Sequence, residues 1–429
     1  MKNHNFLKTA ILSLVVLTIS CQPAQKADNI LSSFLVEGFP EEAGMSTDRI
    51  SKIDGLIQEY IDNGLIPGAV GLVARDGKIV YHKAFGMRDI EENDPMKKDD
   101  IFRIASMSKA ITSIAVMMLY EDGKFLLNDP VSKYIPEFKD PEILVKTNPD
   151  GTYESKPAEH EITVRHLLTH TSGIGYGFIH SELKPIYDKA GVPDGFVLTD
   201  AVLGDKIRAL AGLPLLHEPG EKYTYGLNMD VLGYFVEVLS GISFDEFLKE
   251  KIFKPLGMED TYFFLPEKDF PRLATIYAEN DDGISLSDLE EYQYPVKGAK
   301  SFFAGGAGLC STALDYAKFL QMLVNDGLYR EHQLLSPKTV ELISMNQVGD
   351  LYGNNNFGLG FGITTDKTVH YNLSSVGNYW WGGYFHTHFW IDPKEDMVAV
   401  LMLQMYPVIH GEITPKFQNL VYQAIIDMK

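Results

Sequence analysis

The stretch Ser106-Met107-Ser108-Lys109 opens the run SMSKAITSIAVMMLY, which covers residues 106–120. Apolar side chains occupy nearly every face of this run, and a helix that is apolar all round is expected to be buried. Ser106 and Lys109 are three residues apart, so their side chains share one face about one turn apart. Burial disfavours a charged ammonium, and a neutral amine beside a hydroxyl can activate a serine as a nucleophile. The stretch therefore predicts a buried helix that carries a nucleophilic serine.

A second Ser-x-x-Lys pattern occurs at Ser181-Glu182-Leu183-Lys184. It lies in a polar stretch and Pro185 follows it directly, so it has neither a buried helix nor a desolvated lysine. We interpret this second copy as a chance match.

The composition is that of a folded protein with a large core. The chain has 429 residues, of which 45% are hydrophobic and 22% are charged, and this length allows one large domain with a subdomain or two ordinary domains. The formal net charge is −20 without a long basic run, which argues against a nucleic-acid partner.

The first twenty residues have the pattern of an export signal. Lys2 and Lys8 precede the apolar stretch 10–19, and small Ser20 stands before Cys21. The ending at 17–21 resembles a bacterial lipobox, although Thr18 stands where leucine is usual. We predict a signal peptide over 1–20, lipidation of Cys21 and a tether over 21–35; simple secretion is the alternative.

This prediction makes the protein an exported lipoprotein that faces the periplasm or the cell surface, and it contacts a membrane only through its lipid anchor. Cys310 is then the one remaining cysteine, so an intrachain disulfide is excluded, and its apolar surroundings predict a small buried side chain.

Strand and helix patterns at the two chain ends indicate one shared sheet. At the N-terminal end, residues 47–63 have helical spacing, and the apolar segments 69–73 and 78–81 flank the turn pair Asp76-Gly77. At the C-terminal end, segments 385–391 and 397–404 form a second hairpin, and a last helix is predicted to begin at Thr414 with Pro415 in its first turn.

The middle of the chain, about 121–300, reads as helical and loop-rich, and Ser243 with Glu246 has the form of a helix-capping box. We therefore predict an α+β fold in which an antiparallel sheet from both ends is flanked by helices, with a helical subdomain inserted. The domain is predicted to cover 36–429.

Two further segments are candidate parts of a site. Tyr225 lies in a turn ahead of a helix and could carry a proton into a cleft. Trp381-Gly382-Gly383 precedes a strand, and paired glycines let a backbone approach a ligand closely. Each signal is weak when it is taken alone.

Taken together, Ser106-x-x-Lys109, Tyr225 and Trp381-Gly382-Gly383 resemble the class C β-lactamase-related serine hydrolases, and within them the family VIII carboxylesterases. The resemblance runs over about 37–427. Supporting stretches lie at 102–105, 167–173, 305–309 and 389–393.

The resemblance implies a β-lactamase and penicillin-binding-protein-like fold and a cofactor-free, metal-free hydrolase of small esters or amides. It implies that Ser106 is the nucleophile, Lys109 its proton partner and Tyr225 a general base or acid. The backbone N–H groups of Ser106 and Tyr384 would form the oxyanion hole, and Trp381 would line the substrate pocket.

The chain departs from the family pattern in two places. The usual Tyr-x-Asn is Tyr225-Gly226-Leu227 here, with Asn228 one place late, which puts the substrate-amide contact in doubt. No Lys-Thr-Gly occurs, and since that lysine helps to bind a β-lactam carboxylate, an ester without an anionic group fits better.

Other functions compete with this interpretation. A β-lactamase or D-amino-acid peptidase of the same fold would use the same residues, and a penicillin-binding-like sensor would acylate with little turnover. A zinc site could use His386 and His388 on one strand face, but no third ligand has a recognisable spacing. The chain has no Gly-x-Ser-x-Gly elbow, which argues against an α/β-hydrolase.

Overall fold

The computed structural model describes residues 34–287 and 289–429. The predicted signal peptide, the predicted lipid anchor Cys21 and the tether up to residue 33 lie outside the described residues. Within them the largest sheet has nine strands: β1 (Val36–Glu37), β2 (Gly68–Arg75), β3 (Lys78–Asp89), β4 (Asp94–Pro95), β5 (Asn356–Phe357), β6 (Gly362–Ile363), β7 (Tyr379–Gly382), β8 (His388–Asp392) and β9 (Met397–Met402).

The two chain ends build this sheet together, as the sequence predicts. The strand order is β1-β3-β2-β9-β8-β7-β6-β5, and β4 pairs with β3. Strand β9 runs antiparallel to β2, with Met397 opposite Arg75 and Met402 opposite Val70. The predicted antiparallel pairing holds in this sheet except at one edge, where the two residues of β1 pair in parallel with β3.

Turn chemistry sets the register of the first hairpin. Asp76 and Gly77 have φ angles of 56° and 70°, which match the two positive φ values of a type I′ turn. This turn has the right twist to join β2 and β3 without splaying them. The predicted hairpin is confirmed, although both strands are longer than the apolar segments suggest.

Helices cover both faces of the sheet. The helices of the described residues are α1 (Thr47–Ile50), α2 (Lys52–Asp62), α3 (Ser108–Glu121), α4 (Val164–Leu168), α5 (Lys184–Ala190), α6 (Leu203–Ala211), α7 (Asn228–Ser240), α8 (Phe244–Leu248), α9 (Lys254–Leu256), α10 (Ala313–Val324), α11 (Pro337–Ile343) and α12 (Ile413–Tyr422), with a π-helical turn at Lys249–Phe253 between α8 and α9. Because both faces are covered, every residue of β2 and β9 is buried.

The two faces have separate apolar cores. Val73 and Phe417 belong to the core that α2 and α12 cover, whereas Val70 and Leu72 belong to the larger core that contains α3 and α10. Alternate residues of β2 thus point to opposite faces of the sheet. The larger core continues into the middle of the chain and supports α3 from all sides.

The middle of the chain is mostly helical but contains two hairpins that the sequence pattern does not indicate. They pair Glu142–Thr147 with Tyr153–Pro157, and Tyr277–Asn280 with Gly283–Leu286. Both hairpins have many polar and exposed residues, so they lack the apolar alternation by which strands are recognised.

Two predicted helix starts need correction. Helix α8 does follow Ser243, but the Ser243 side chain makes no capping bond, and the Phe244 N–H donates instead to Glu237 Oε1 at 2.9 Å. The last helix begins at Ile413 after Glu412, so Thr414 is inside its first turn and is not the N-cap.

The structure bears on the environment of Cys310 and on the length of the apolar helices. Cys310 is fully buried, and burial raises the pKa of its thiol to about 12, as expected for a cysteine with a packing role. None of the helices in 34–287 and 289–429 combines the length and the hydrophobicity that a membrane span requires.

Candidate active site

The Ser106–Lys109 pair lies where a short turn enters helix α3. The strand Phe102–Arg103 is followed by a 3₁₀ turn, Ala105–Met107, and α3 continues from Ser108. Lys109 is 1% exposed, and its Nζ lies 3.1 Å from Ser106 Oγ. The apolar helix is buried as predicted, and it brings a lysine amine to the serine hydroxyl.

The second Ser-x-x-Lys copy has none of these properties. Ser181 and Lys184 are exposed, and Lys184 Nζ pairs with the Asp188 carboxylate at 2.8 Å, one turn further along α5. This agrees with its interpretation as a chance match.

Lys109 has two more polar partners. Its Nζ donates to the Gly306 carbonyl oxygen at 2.6 Å and lies 3.1 Å from the Tyr176 hydroxyl oxygen. Burial raises the pKa of Tyr176 well above its usual value, so its hydroxyl stays protonated. Lys109 Nζ thus has three polar partners, and Gly306 and Tyr176 hold it beside Ser106 Oγ.

Tyr176 is a site residue that sequence reasoning missed. It follows the stretch 167–173 in Gly175-Tyr176-Gly177, where neighbouring glycines are a weak sign of close packing. Its approach to Lys109 depends on how a loop folds over α3, and a local sequence pattern does not report that.

The residue before the serine has an unusual backbone. Ala105 has a φ of 41°, in the left-handed region, which costs an L-residue on the order of 1 kcal/mol. Its side chain packs in a small core with Phe385 and Tyr292. This packing holds the turn in place and fixes the direction from which Ser106 enters the cavity described below.

Tyr225 presents its ring to the lysine. The loop before α7 places the ring centroid 4.6 Å from Lys109 Nζ, and the ring also contacts Tyr176 and Trp381 with centroid separations of 5.4 and 5.8 Å. Tyr225 is only partly buried and faces the same cavity as Ser106.

Asn228, the displaced asparagine of the family pattern, does not face that cavity. It is fully buried, its Oδ1 accepts from Ser172 Oγ at 2.5 Å, and its Nδ2 donates to the Ile174 carbonyl oxygen at 3.2 Å. Asn228 therefore holds the loop that carries Tyr176, and its amide is not placed to contact a substrate.

The Trp381-Gly382-Gly383 segment forms the opposite wall. Trp381 and Gly382 are the last residues of β7, and Gly383 packs on the turn that carries Ser106. A Cβ atom on Gly383 would overlap the Ile104 carbonyl oxygen and Thr387 Oγ1, so only glycine fits there without a shift. This close approach places the Tyr384 backbone next to the nucleophile turn.

A methyl group at Gly383 should therefore impair the site more than the fold. We expect Gly383→Ala to lower kcat for a reaction at Ser106 about 100-fold, because β7 must move away from the Ser106 turn. The cost of overpacking is about 1–3 kcal/mol of unfolding free energy. Steady-state kinetics and thermal unfolding of the variant measure both effects, and wild-type kinetics in a folded variant would contradict the expectation.

The structure brings the sequence-predicted site residues together around one cavity of about 580 Å³. Ser106, Tyr225, Trp381, Gly382, Gly383 and Tyr384 line it, and Lys109 lies beneath the serine. Further aromatic walls come from Tyr176, Phe178, Phe196, Tyr292, Tyr352 and Trp380.

The charge of the cavity lining is negative. Within the described residues, the charged side chains that line it are Asp194 and Glu291. Asp194 accepts the N–H groups of Gly177 and Phe178 at 2.7 and 3.1 Å, and burial raises the pKa of its carboxyl group above the usual value. The cavity thus offers aromatic faces and carboxylates, and no lysine or arginine of the described chain takes part in the lining.

The two histidines considered for a zinc site do not share a strand face. Strand β8 begins at His388, and His386 lies in the preceding turn with a φ of 63° and its Nε2 3.2 Å from Thr414 Oγ1. Burial lowers the pKa of His388 to about 4. In the described part of the chain, no group of three or more His, Cys, Asp or Glu residues is arranged to hold a metal ion.

The family of the chain follows from a sequence comparison. The Beta-lactamase family model matches residues 53–410, which include every site residue described above. The chain belongs to the β-lactamase family. Both the fold and the resemblance predicted from the sequence are thereby confirmed.

Proteins similar to this chain include a named esterase and a named acyltransferase. Esterase EstB of Burkholderia gladioli is 30% identical over 87% of this chain and 95% of its own length. The ML-236A carboxylate methylbutanoyltransferase of Penicillium citrinum is 28% identical over 91% of this chain and 98% of its own. The solved structure of EstCE1, a hydrolase with promiscuous acyltransferase activity, matches with a TM-score of 0.75 and 27% identity over 87% of this chain and 99% of its own.

Proposed function

We propose that this protein is a serine hydrolase that cleaves uncharged carboxylic esters through an acyl-enzyme on Ser106. The observation that carries the proposal is the 3.1 Å approach of Lys109 Nζ to Ser106 Oγ at the floor of an aromatic cavity. The likeness to an esterase at 30% identity supports the same reaction.

The first step is acylation. Ser106 Oγ attacks the ester carbonyl carbon as its proton passes to the lone pair of Lys109, whose two N–H groups are held by Gly306 and Tyr176. The carbonyl oxygen gains negative charge, and the backbone N–H groups of Ser106 and Tyr384 are our candidates to stabilise it. Both residues lie at the cavity wall where Gly383 packs on the serine turn.

The second step releases the alcohol and then the acid. Tyr225 lines the cavity beside Lys109, so it is our candidate to pass the proton to the leaving alcohol oxygen. Water then attacks the acyl carbon, its proton returns through the same groups, and Ser106 is regenerated.

Two tyrosine variants test this assignment. We expect Tyr225→Phe to lower kcat about 100-fold because the proton carrier is lost, while Tyr176→Phe lowers it about tenfold because one of three polar partners of Lys109 is lost. Steady-state kinetics with p-nitrophenyl butyrate provide the measurement. The reverse order of effects would assign the proton carrier to Tyr176.

The substrate class follows from the charge of the cavity. An anionic substrate would bury its carboxylate near Asp194 and Glu291 without a lysine or arginine of the lining to pair with it. We expect kcat/KM for p-nitrophenyl butyrate to exceed that for mono-p-nitrophenyl succinate about 100-fold, with a chromogenic cephalosporin hydrolysed more slowly still. Comparable values for the two esters would refute the proposed preference.

Cephalosporin turnover also decides between family activities. Fast cephalosporin hydrolysis would place the enzyme with the β-lactamases despite the missing Lys-Thr-Gly. Serine labelling without turnover of esters, β-lactams or D-amino-acid peptides would instead indicate a penicillin-binding-like sensor.

Acyl transfer is a second candidate function. The methylbutanoyltransferase relative covers 91% of this chain, and the cavity is large enough to hold an acceptor beside an acyl group. An alcohol that replaces water in the second step yields a new ester. Product analysis of p-nitrophenyl butyrate turnover with added 1-butanol measures the ratio of butyl butyrate to butyric acid, and a ratio that does not rise with 1-butanol would exclude transfer to this acceptor.

We further propose that the chain is exported and anchored in a membrane through lipid on Cys21, with no nucleic-acid partner. The basic and apolar pattern of 1–20 and the small residue before Cys21 support this proposal. Metabolic labelling with tritiated palmitate should mark the wild type and not Cys21→Ser, and equal labelling of both would contradict lipidation at Cys21.

A further inference from the structure

A buried carboxylate lies close to the Ser106–Lys109 pair. Asp230 is the third residue of α7 and is 1% exposed. Its Oδ1 accepts the N–H of Gly306 at 3.2 Å, whereas its Oδ2 finds no hydrogen-bond partner within the described residues. A buried carboxylate oxygen without a partner is costly, so its presence beside a reactive amine calls for a physical reason.

Gly306 connects this carboxylate to the lysine. Its N–H donates to Asp230, and its own carbonyl oxygen accepts from Lys109 Nζ at 2.6 Å. A Cβ atom placed on Gly306 would lie 2.6 Å from Asp230 Oδ2 and 2.9 Å from the Tyr176 hydroxyl oxygen. The free carboxylate oxygen and the hydroxyl that contacts Lys109 therefore face the same side of Gly306.

The electrostatics couple Asp230 to the same groups. Burial raises the pKa of Asp230 to about 6, and Lys109 in its ammonium form opposes that rise. The negative charge of Asp194 acts in the other direction and raises the pKa of Asp230. Burial is also the main cause of the raised pKa of Tyr176, and the negative charge of Asp230 adds to it. The carboxyl group of Asp230 thus lies next to the site where Lys109 gains charge.

We propose that Asp230 is a positioning residue for Lys109. The Asp230 carboxylate stabilises the ammonium that forms on Lys109, and it holds Gly306 so that the Gly306 carbonyl orients the lysine amine. The proton moves from Ser106 Oγ to Lys109 Nζ while the bond from Oγ to the acyl carbon forms. Asp230 takes no proton in this step and contacts neither Ser106 nor the substrate. The inference rests on the proposed function in one respect, which is that Ser106 is the nucleophile.

A purely structural role for Asp230 is the alternative. A carboxylate in the first turn of a helix is stabilised by the helix N-terminus in any protein. Asp205 offers a matched control, because it is also the third residue of its helix, α6. It is exposed and pairs with Arg208 at 2.5 Å, away from the residues that line the cavity.

The test follows the reactivity of Ser106 against pH. A fluorophosphonate probe labels an activated serine without needing the physiological substrate, and its labelling rate is measured from pH 5 to 10 for the wild type, Asp230→Asn, Asp230→Ala and Asp205→Asn. Rates are normalised to the folded fraction from thermal unfolding. Asp230→Ser serves as a second neutral variant if Asp230→Asn does not fold.

Loss of the negative charge makes the Lys109 ammonium less stable, so the amine becomes neutral at a lower pH. We expect the acid limb of the Asp230→Asn profile to move down by about one pH unit. The plateau rate should fall about tenfold because the amine is then a weaker base. The plateau labelling rate of Asp230→Ala, which also releases Gly306, should be about tenfold lower still. The rate of Asp205→Asn should match that of the wild type.

Two results would overturn the inference. One is an acid limb of Asp230→Asn that stays at the wild-type position; the other is a profile in which Asp205→Asn shifts as much as Asp230→Asn. The outcomes also separate the inference from the proposed function. Labelling with the expected shift but without ester turnover would reject the ester substrate alone, whereas a wild type that is not labelled at Ser106 would reject both.

Discussion

Replacement of Ser106 by alanine is expected to lower the hydrolysis of short-chain p-nitrophenyl esters about 10,000-fold, close to the uncatalysed rate. The alanine side chain has no oxygen to form the acyl-enzyme, and the remaining cavity provides only binding and polarisation of the carbonyl group. The loss corresponds to about 5 kcal/mol of transition-state stabilisation. Initial rates with p-nitrophenyl butyrate for matched amounts of folded wild type and variant provide the measurement.

Ser181→Ala is the matched control, because Ser181 begins the second Ser-x-x-Lys copy but is exposed. It should keep the wild-type rate. Mass spectrometry of protein stopped during turnover should find the added acyl mass on Ser106 in the wild type and none in Ser106→Ala. Undiminished hydrolysis by Ser106→Ala would refute the proposed mechanism and require another nucleophile.

Replacement of Lys109 by methionine is the second change with a large expected effect. Methionine keeps the unbranched shape of lysine but cannot accept the Ser106 proton, so we expect kcat to fall about 1,000-fold. The fold should tolerate the change, because α3 is buried among apolar side chains and a buried polar group is replaced by an apolar group of similar shape. Steady-state kinetics and thermal unfolding test both halves of this prediction.

Lys109→Arg separates proton acceptance from positive charge. Arginine keeps the charge but is always protonated, so it should be as inactive as methionine. Lys184→Met, the change at the exposed second copy, should behave as the wild type. An active Lys109→Arg variant would refute the role of Lys109 as the proton acceptor and leave it only an electrostatic role.

The fold could be predicted well at the two chain ends and poorly in the middle. The first hairpin was readable because Asp76-Gly77 separates two apolar segments, and β8 and β9 were readable for the same reason around residues 392–396. The hairpins that begin with Glu142–Thr147 and Tyr277–Asn280 could not be predicted. Their strands are held together by backbone pairing and have few apolar residues to mark a buried face.

The chemistry of the site was readable only where residues are close in sequence. Ser106 lies in the 3₁₀ turn that enters α3 and Lys109 lies in the first turn of α3, so local helical geometry brings the two side chains together. Tyr176 and Gly306 reach Lys109 from separate segments, and Asp230 reaches Gly306 from a third. No spacing in the sequence indicates these approaches. The prediction that His386 and His388 share a strand face is wrong because strand β8 begins only at His388. His386 lies in the preceding turn, where side chains do not alternate between two faces.

The sequence by itself determined that α3 is a buried helix with a lysine one turn from a serine at its entrance, because an apolar run with helical spacing is stable in a core. It also indicated two hairpins of the sheet, one around Asp76-Gly77 and one around residues 392–396. Only the tertiary structure decided what surrounds the lysine. A carbonyl, two tyrosines and a nearby carboxylate come from segments more than fifty residues away along the chain. The reason is physical, because hydrogen bonds and desolvation at that amine depend on distances through space, which the core packing sets and the order of residues does not.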